Sequence, residues 1–185
     1  HFRKPFLVAA EPHWEGLYMI SVSQRLLESL KKHGANFFAT VPCKLSADLV
    51  RLISQDKEII HVAPTREEEG VGICAGAYLS GKMPVMVIQN SGIGNSVNAL
   101  VALNQLYRIP LLLVCTHRGS PGERVGAQVP MGIAVKGVLD AIDIPYFSFN
   151  HQSHAEQVGE LVEYTEVAQR PVAVLLGFDF WREEV

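Results

Sequence analysis

Three adjacent carboxylates, Glu67-Glu68-Glu69, run directly into Gly70 and an apolar helical stripe of Val71, Cys74, Ala75, Tyr78 and Leu79. Acidic side chains in a first helical turn are favoured by the macrodipole and the free backbone N–H groups, so the cluster has a purely structural explanation. Glu68, Gly72 and Gly76, however, share one i, i+4 ridge. Each glycine inside a helix costs roughly 1 kcal/mol relative to alanine, which points to close approach by a second backbone or a cofactor and makes Glu68 a candidate proton donor. Gln89-Asn90-Ser91-Gly92-Ile93-Gly94-Asn95-Ser96 follows an apolar run and opens a helix, yet lacks the Lys-Ser/Thr of a P-loop and the third glycine of the dinucleotide fingerprint. A tight polar turn explains it as well as a phosphate cradle does. Thr116-His117-Arg118-Gly119-Ser120-Pro121-Gly122-Glu123-Arg124 is a long turn-rich loop whose arginines either pair with an anion or stand as solvated charges.

Other chemistry is poorly supported. His151 and His154 have HxxH spacing without a carboxylate or thiol partner in a recognised metal pattern, so no metal site is expected on this chain. Cys43, Cys74 and Cys115 form no CxxC, and their apolar surroundings read as buried free thiols in a reducing, cytoplasmic compartment. Cys43 keeps some interest as a residue at a strand end. Sixteen Lys+Arg against 19 Asp+Glu give a formal net charge of −3, so neither nucleic acid nor an anionic membrane is an expected partner. No apolar run approaches the roughly 20 residues of a membrane-spanning helix.

The elements that must hold these residues alternate along the chain. Helical spacing marks residues 22–33, 47–53, 66–80, 94–107, 131–141 and 153–168, and short β-rich runs fall at 36–41, 59–63, 85–88, 111–115, 145–149 and 172–176. Val85-Met86-Val87-Ile88 and Leu111-Leu112-Leu113-Val114 are apolar throughout, as strands covered on both faces are. The expected fold is therefore α/β: a three-layer α/β/α unit around a mostly parallel sheet of about six strands. With 185 residues, 48% hydrophobic and a mean hydropathy of +0.15, the chain is expected to form one domain over residues 19–185. Residues 1–18 read as an extension, Met19 being a candidate start, and the short apolar stretch at 6–10 makes a poor signal peptide. In such sheets, sites lie beyond the carboxyl ends of the strands, which singles out residues 42–46, 64–69, 89–95 and 116–128.

Thr65-Arg66-Glu67-Glu68-Glu69-Gly70 leading to Gly76-Ala77-Tyr78-Leu79-Ser80-Gly81-Lys82, followed by the Gln89–Ser96 motif, resembles the pyrimidine-binding domain of thiamin diphosphate enzymes. With Val41-Pro42-Cys43-Lys44, Arg118-Gly119-Ser120-Pro121-Gly122 and Gly126-Ala127-Gln128-Val129-Pro130-Met131-Gly132, the resemblance is greatest to the sulfopyruvate decarboxylase α-subunit family, phosphonopyruvate decarboxylases coming next. It covers residues 19–178.

The resemblance implies that Glu68, two residues before Gly70, hydrogen-bonds the pyrimidine N1′ of thiamin diphosphate and favours its imino tautomer, which activates the cofactor toward the keto carbon of a 2-oxo acid. Loss of CO2 and protonation would then release an aldehyde, sulfoacetaldehyde in the case of 3-sulfopyruvate, a step of coenzyme M biosynthesis. It further implies cofactor contacts from Asn90, Ser91 and Gly92, and recognition of an anionic substrate by Lys44, Arg118 and Gln128. These enzymes hold Mg2+ and the diphosphate with a Gly-Asp-Gly segment and a later Asn, and this chain has no Gly-Asp pair. A β subunit carrying the diphosphate-binding domain and its Mg2+, in an α/β hetero-oligomer, is therefore the expected partner. Phosphonopyruvate or another anionic 2-oxo acid is the alternative substrate, and a non-catalytic binding module the alternative of a different class.

Overall fold

The computed structural model describes residues 20–182, and the expectations for residues 1–18 and Met19 lie outside them. Strands β1 (Phe37–Thr40), β2 (Ile60–Val62), β3 (Pro84–Gln89), β4 (Leu111–Thr116), β5 (Tyr146–Phe149) and β6 (Pro171–Leu176) form one sheet in the order β2-β1-β3-β4-β6-β5. Every pairing is parallel. Helices α1 (Val22–Lys32), α2 (Ala47–Gln55), α3 (Glu67–Leu79), α4 (Ser91–Ala99), α5 (Val129–Ala141) and α6 (Ala155–Ala168) cover it.

Period-2 alternation divides the core between two faces. Phe38, Val85, Val87, Leu112, Val114, Val172 and Val174 pack with Leu26 and Leu30 of α1, Leu49 and Ile53 of α2, and Val158 and Val162 of α6. Phe37, Ala39, Met86, Ile88, Leu113, Cys115 and Leu175 pack with Val71 and Cys74 of α3, Ile93 of α4, and Val135 and Leu139 of α5. The three-layer expectation holds, with all strands parallel.

Two boundaries differ from the periodicity. Helix α4 starts at Ser91, three residues before the expected 94, and runs on into a π-helical turn, Leu100–Gln105. That widened turn is pinned from outside its own ladder: buried Asn104 donates to the Ile109 carbonyl at 3.1 Å, and the Gln105 amide donates to the Ile142 carbonyl at 2.6 Å. A 3-10 turn, Gly126–Gln128, closes the long loop and starts α5 at Val129.

Helices α1 and α6 approach closely because Gly159 lies against Ser29, where an added Cβ would stand 2.8 Å from backbone carbon and oxygen. Gly159→Ala must separate the helices and is expected to cost about 1–3 kcal/mol, the range for overpacking a close contact. A thermal melt reads the loss directly, and an unchanged midpoint would show that the helices give way freely.

The two outer faces differ in character. The α1–α6 side is charged, with Glu156, Glu160, Glu163 and Glu166 exposed along α6. On the opposite side no charged residue occurs from Ser91 to Gln105, and Leu79 and Ile133 are each 75% exposed. Gly72, Gly76 and Gly137 have open space where a side chain would stand, so nothing described in this chain explains their smallness.

Because β1 lies between β2 and β3, the chain leaves β1 toward one edge and returns to the other. Such a reversal opens a crevice beyond the carboxyl ends of the two flanking strands, β1 and β3.

Candidate active site

The three consecutive carboxylates have three different surroundings. Glu67 turns toward α4, accepting from the Asn95 amide at 3.0 Å and lying against Gly92, whose missing Cβ would stand 2.5 Å from the Glu67 Cγ. Glu69 reaches back to the Thr65 backbone N–H at 2.8 Å and so satisfies a donor at the helix entrance. Among the described residues Glu68 meets only the exposed Arg66 guanidinium, 3.1 Å from its Oε1, and keeps 40% of its side chain open. Of the three, Glu68 is held only by an exposed ion pair, which is weak and open to exchange for a ligand.

A second cluster forms at the crevice. Gln89, the last residue of β3, donates from Nε2 to Ser91 Oγ at 2.7 Å and to Gln128 Oε1 at 2.8 Å. The Cys43 thiol, just beyond β1, faces Gln89 Oε1 at 3.7 Å. Lys44 follows at the start of a 3-10 turn, exposed and without an ion-pair partner among the described residues. Thus Cys43, Ser91 and Gln128, from three segments of the chain, meet around Gln89 at one strand-end rim, and Lys44 is the exposed residue next to Cys43.

Asn90 and Gly92 sit there in supporting positions. Asn90 is 1% exposed and its amide closes on the backbone of Arg118, donating to the carbonyl at 3.0 Å and accepting from the N–H at 3.1 Å. Both ends of that amide are committed, so Asn90 locks the loop after β4 to the end of β3. Gly92 provides the space that lets Glu67 dock.

Arg118 is equally engaged. Its guanidinium forks onto Glu123, with Nε to Oε2 at 2.6 Å and Nη2 to Oε1 at 2.9 Å, and the two side chains are only 14% and 3% exposed. Glu123 also accepts from the backbone N–H groups of Gly119, Arg124 and Val125. The adjacent guanidinium, aided by those donors, lowers the Glu123 pKa from 4.5 to about 2, and the carboxylate in turn raises that of Arg118. A charge expected to be free for an anion is therefore already matched within the loop. Gly119, at φ 78°, and Gly132 of α5 meet so tightly that a Cβ on Gly132 would stand 2.5 Å from the Gly119 Cα, which seats this loop against α5.

Burial pushes the Cys74 thiol up to about 12 and the Cys115 thiol higher still, which leaves both protonated and inert at neutral pH. His151 is occupied with Ser153 at 2.8 Å and His154 stacks on Phe149 at 5.0 Å. Among the described residues no group of three or more His, Cys, Asp or Glu is placed to hold a metal ion. Gln89 and Glu123 are the contributors that sequence reasoning missed. An amide ending an otherwise apolar strand, and an acid five residues beyond Arg118, were the available signals.

A doubly wound parallel domain with a glutamate held only by an exposed ion pair at a helix entrance and a polar crevice at its strand ends has the layout of a cofactor-binding α/β unit. The chain belongs to the family described as thiamine pyrophosphate enzyme, N-terminal TPP binding domain, which it matches over residues 20–143. Within that family it is 37% identical over 166 residues to sulfopyruvate decarboxylase subunit alpha of Methanococcus maripaludis, an alignment covering 89% of this chain and 99% of that one. It is also 36% identical over 106 residues to a phosphonopyruvate decarboxylase of Streptomyces hygroscopicus, covering 57% of this chain and 26% of that one. The fold is shared with the thiamine diphosphate-dependent 4-hydroxybenzoylformate decarboxylase of Rhodococcus jostii at a TM-score of 0.66 and 17% identity, over 89% of this chain and 31% of that one.

Proposed function

We propose that the chain is the α-type subunit of a thiamin diphosphate-dependent decarboxylase that converts 3-sulfopyruvate to sulfoacetaldehyde and CO2, the step that serves coenzyme M biosynthesis. The observation that carries the reading is the separate commitment of Glu67 to α4 and of Glu69 to the Thr65 N–H, which leaves Glu68 with an exposed, exchangeable ion pair to Arg66. A pyrimidine ring needs a carboxyl partner for its ring nitrogen, and Glu68 fits that half of the cofactor. Thiamin diphosphate, when bound, supplies the electron sink for the bond that breaks as CO2 leaves. Glu68 holds a proton toward the pyrimidine nitrogen and exchanges it. Ser91 and Gln128 orient the substrate from the crevice, Lys44 faces its second anionic group, and the Arg118–Glu123 pair keeps the covering loop in shape.

The diphosphate and its Mg2+ require oxygen ligands held in place, and we assign them to a β subunit. Relatives named as alpha subunits and aligned over 99% of their length support that division. So does the apolar α3–α4–α5 face, where Leu79, Ile133 and the open glycines offer a surface for a second chain. The three free, buried cysteines fit the cytoplasmic placement.

A charge-assisted hydrogen bond contributes roughly 1.5–3 kcal/mol, so Lys44→Ala in the assembled enzyme is expected to raise KM for sulfopyruvate at least about tenfold with kcat little changed. The identity to a phosphonopyruvate decarboxylase makes phosphonopyruvate the second substrate to assay. Faster turnover of phosphonopyruvate would transfer the proposal to that substrate. An unchanged KM in Lys44→Ala would move the anion site elsewhere.

A further inference from the structure

We infer that Gln89 is a positioning residue that sets the hydrogen-bond polarity of the substrate crevice, turning both Ser91 and Gln128 into donors toward an acceptor-only anion. The inference rests on the decarboxylase reading for the identity of the anion, and on the geometry for everything else. A glutamine amide has two N–H hydrogens and one carbonyl oxygen. Gln89 places one hydrogen on Ser91 Oγ, at 2.7 Å, and the other on Gln128 Oε1, at 2.8 Å. Its carbonyl oxygen faces the Cys43 thiol at 3.7 Å, the weak donor that completes the orientation of the amide.

Consequences follow for each partner. Ser91 Oγ, already accepting, has its own hydroxyl hydrogen left to give. Gln128, its oxygen occupied, presents an NH2 group with both hydrogens uncommitted among the described residues. Both side chains are only partly buried and remain open to a ligand. Lys44, one residue beyond Cys43, is an exposed cation on the same carboxyl-end side of the sheet. Ionised carboxylates accept hydrogen bonds and cannot give them, and sulfonates behave likewise. A crevice in which Ser91 and Gln128 turn their hydrogens toward the ligand favours such acceptor-only groups over a competitor that brings a hydroxyl or amide donor to the same positions. Gln89 need not touch the substrate to do this.

The test uses the assembled α/β enzyme carrying Gln89→Glu or Gln89→Met. A carboxylate at this position can only accept, so Ser91 and Gln128 would turn their hydrogens inward. Methionine removes the polarity control without adding charge. Three quantities are read: KM and kcat for sulfopyruvate, Kd for the unreactive dianion 3-sulfopropionate by calorimetry, and Kd for thiamin diphosphate. Gln89→Glu is expected to weaken sulfopyruvate and 3-sulfopropionate at least tenfold, and Gln89→Met about threefold. Cofactor affinity and kcat should stay within about threefold of wild type. An unchanged KM and 3-sulfopropionate Kd in both variants, or losses confined to cofactor binding and thermal stability, would overturn the inference. Should Gln89→Glu fail to fold, Gln89→Met still decides between these results. Failure of the decarboxylase reading is separately visible, because wild type itself would then release no CO2 from sulfopyruvate, while 3-sulfopropionate binding still reports on the polarity of the crevice.

Discussion

Glu68→Gln lowers decarboxylation by the assembled enzyme at least about a hundredfold, within the roughly 10²–10⁴ that a positioned proton-transferring group contributes. An amide retains the shape and can still hydrogen-bond, but it cannot hold and exchange the proton. Folding and assembly should persist, because the only side-chain partner of Glu68 among the described residues is an exposed arginine. The neighbouring carboxylates make informative controls. Glu67→Gln and Glu69→Gln keep an oxygen to accept from Asn95 and from the Thr65 N–H, so both should retain activity within a few-fold. CO2 release by all three variants, with a thermal melt alongside, settles the assignment. Activity in Glu68→Gln within a few-fold of wild type would remove the mechanism's central residue.

The largest stability effect is expected at Glu123. Glu123→Ala leaves the 14%-exposed Arg118 guanidinium uncompensated and strips three backbone N–H groups of their acceptor. Breaking a buried ion pair by removing one partner costs on the order of 3 kcal/mol. That corresponds to roughly 6–12 °C in Tm for a domain of this size. The effect has a pH signature. The native carboxyl titrates near 2 rather than 4.5, so its stabilisation is complete above the unfolded value and is lost as pH falls from about 4.5 toward 2. Urea unfolding of wild type and Glu123→Gln at pH 7, 4 and 3 should show the gap closing on acidification. A gap independent of pH, or no gap at pH 7, would contradict the pairing. The pair also separates two parts for Arg118: as a loop staple its removal lowers Tm, whereas as the anion receptor it would raise KM alone.

The order of the elements was readable in the sequence because β3 and β4 are apolar throughout while the helices between them keep their own period. Helix α4 starts three residues before the expected 94, and the Ser91-Gly92-Ile93 turn it gains has no helical signature of its own, since serine and glycine serve turns as readily. Spacing puts Glu67, Glu68 and Glu69 together, but the Glu67 partner, Asn95, lies in another helix, and the local turn that aims Glu69 at the Thr65 N–H is not set by spacing. Arg118 and Glu123 were both visible in one loop, and a loop of glycines and prolines sets no geometry from which their pairing could be deduced. Asn90 was singled out for its place in a motif, and its burial against the Arg118 backbone turned it into a support. Gln89 opens the polar Gln89–Ser96 motif in the sequence, but nothing in that motif shows that its amide connects Cys43, Ser91 and Gln128.

The most direct measurement is CO2 release from 3-sulfopyruvate, with thiamin diphosphate and Mg2+, by this chain purified gently from its native host together with whatever copurifies. The account predicts activity that disappears when a partner carrying the diphosphate-binding segment is removed and returns when it is added back. No release of CO2 with that partner bound would contradict the assigned reaction, and full activity of this chain without any partner would contradict the divided site.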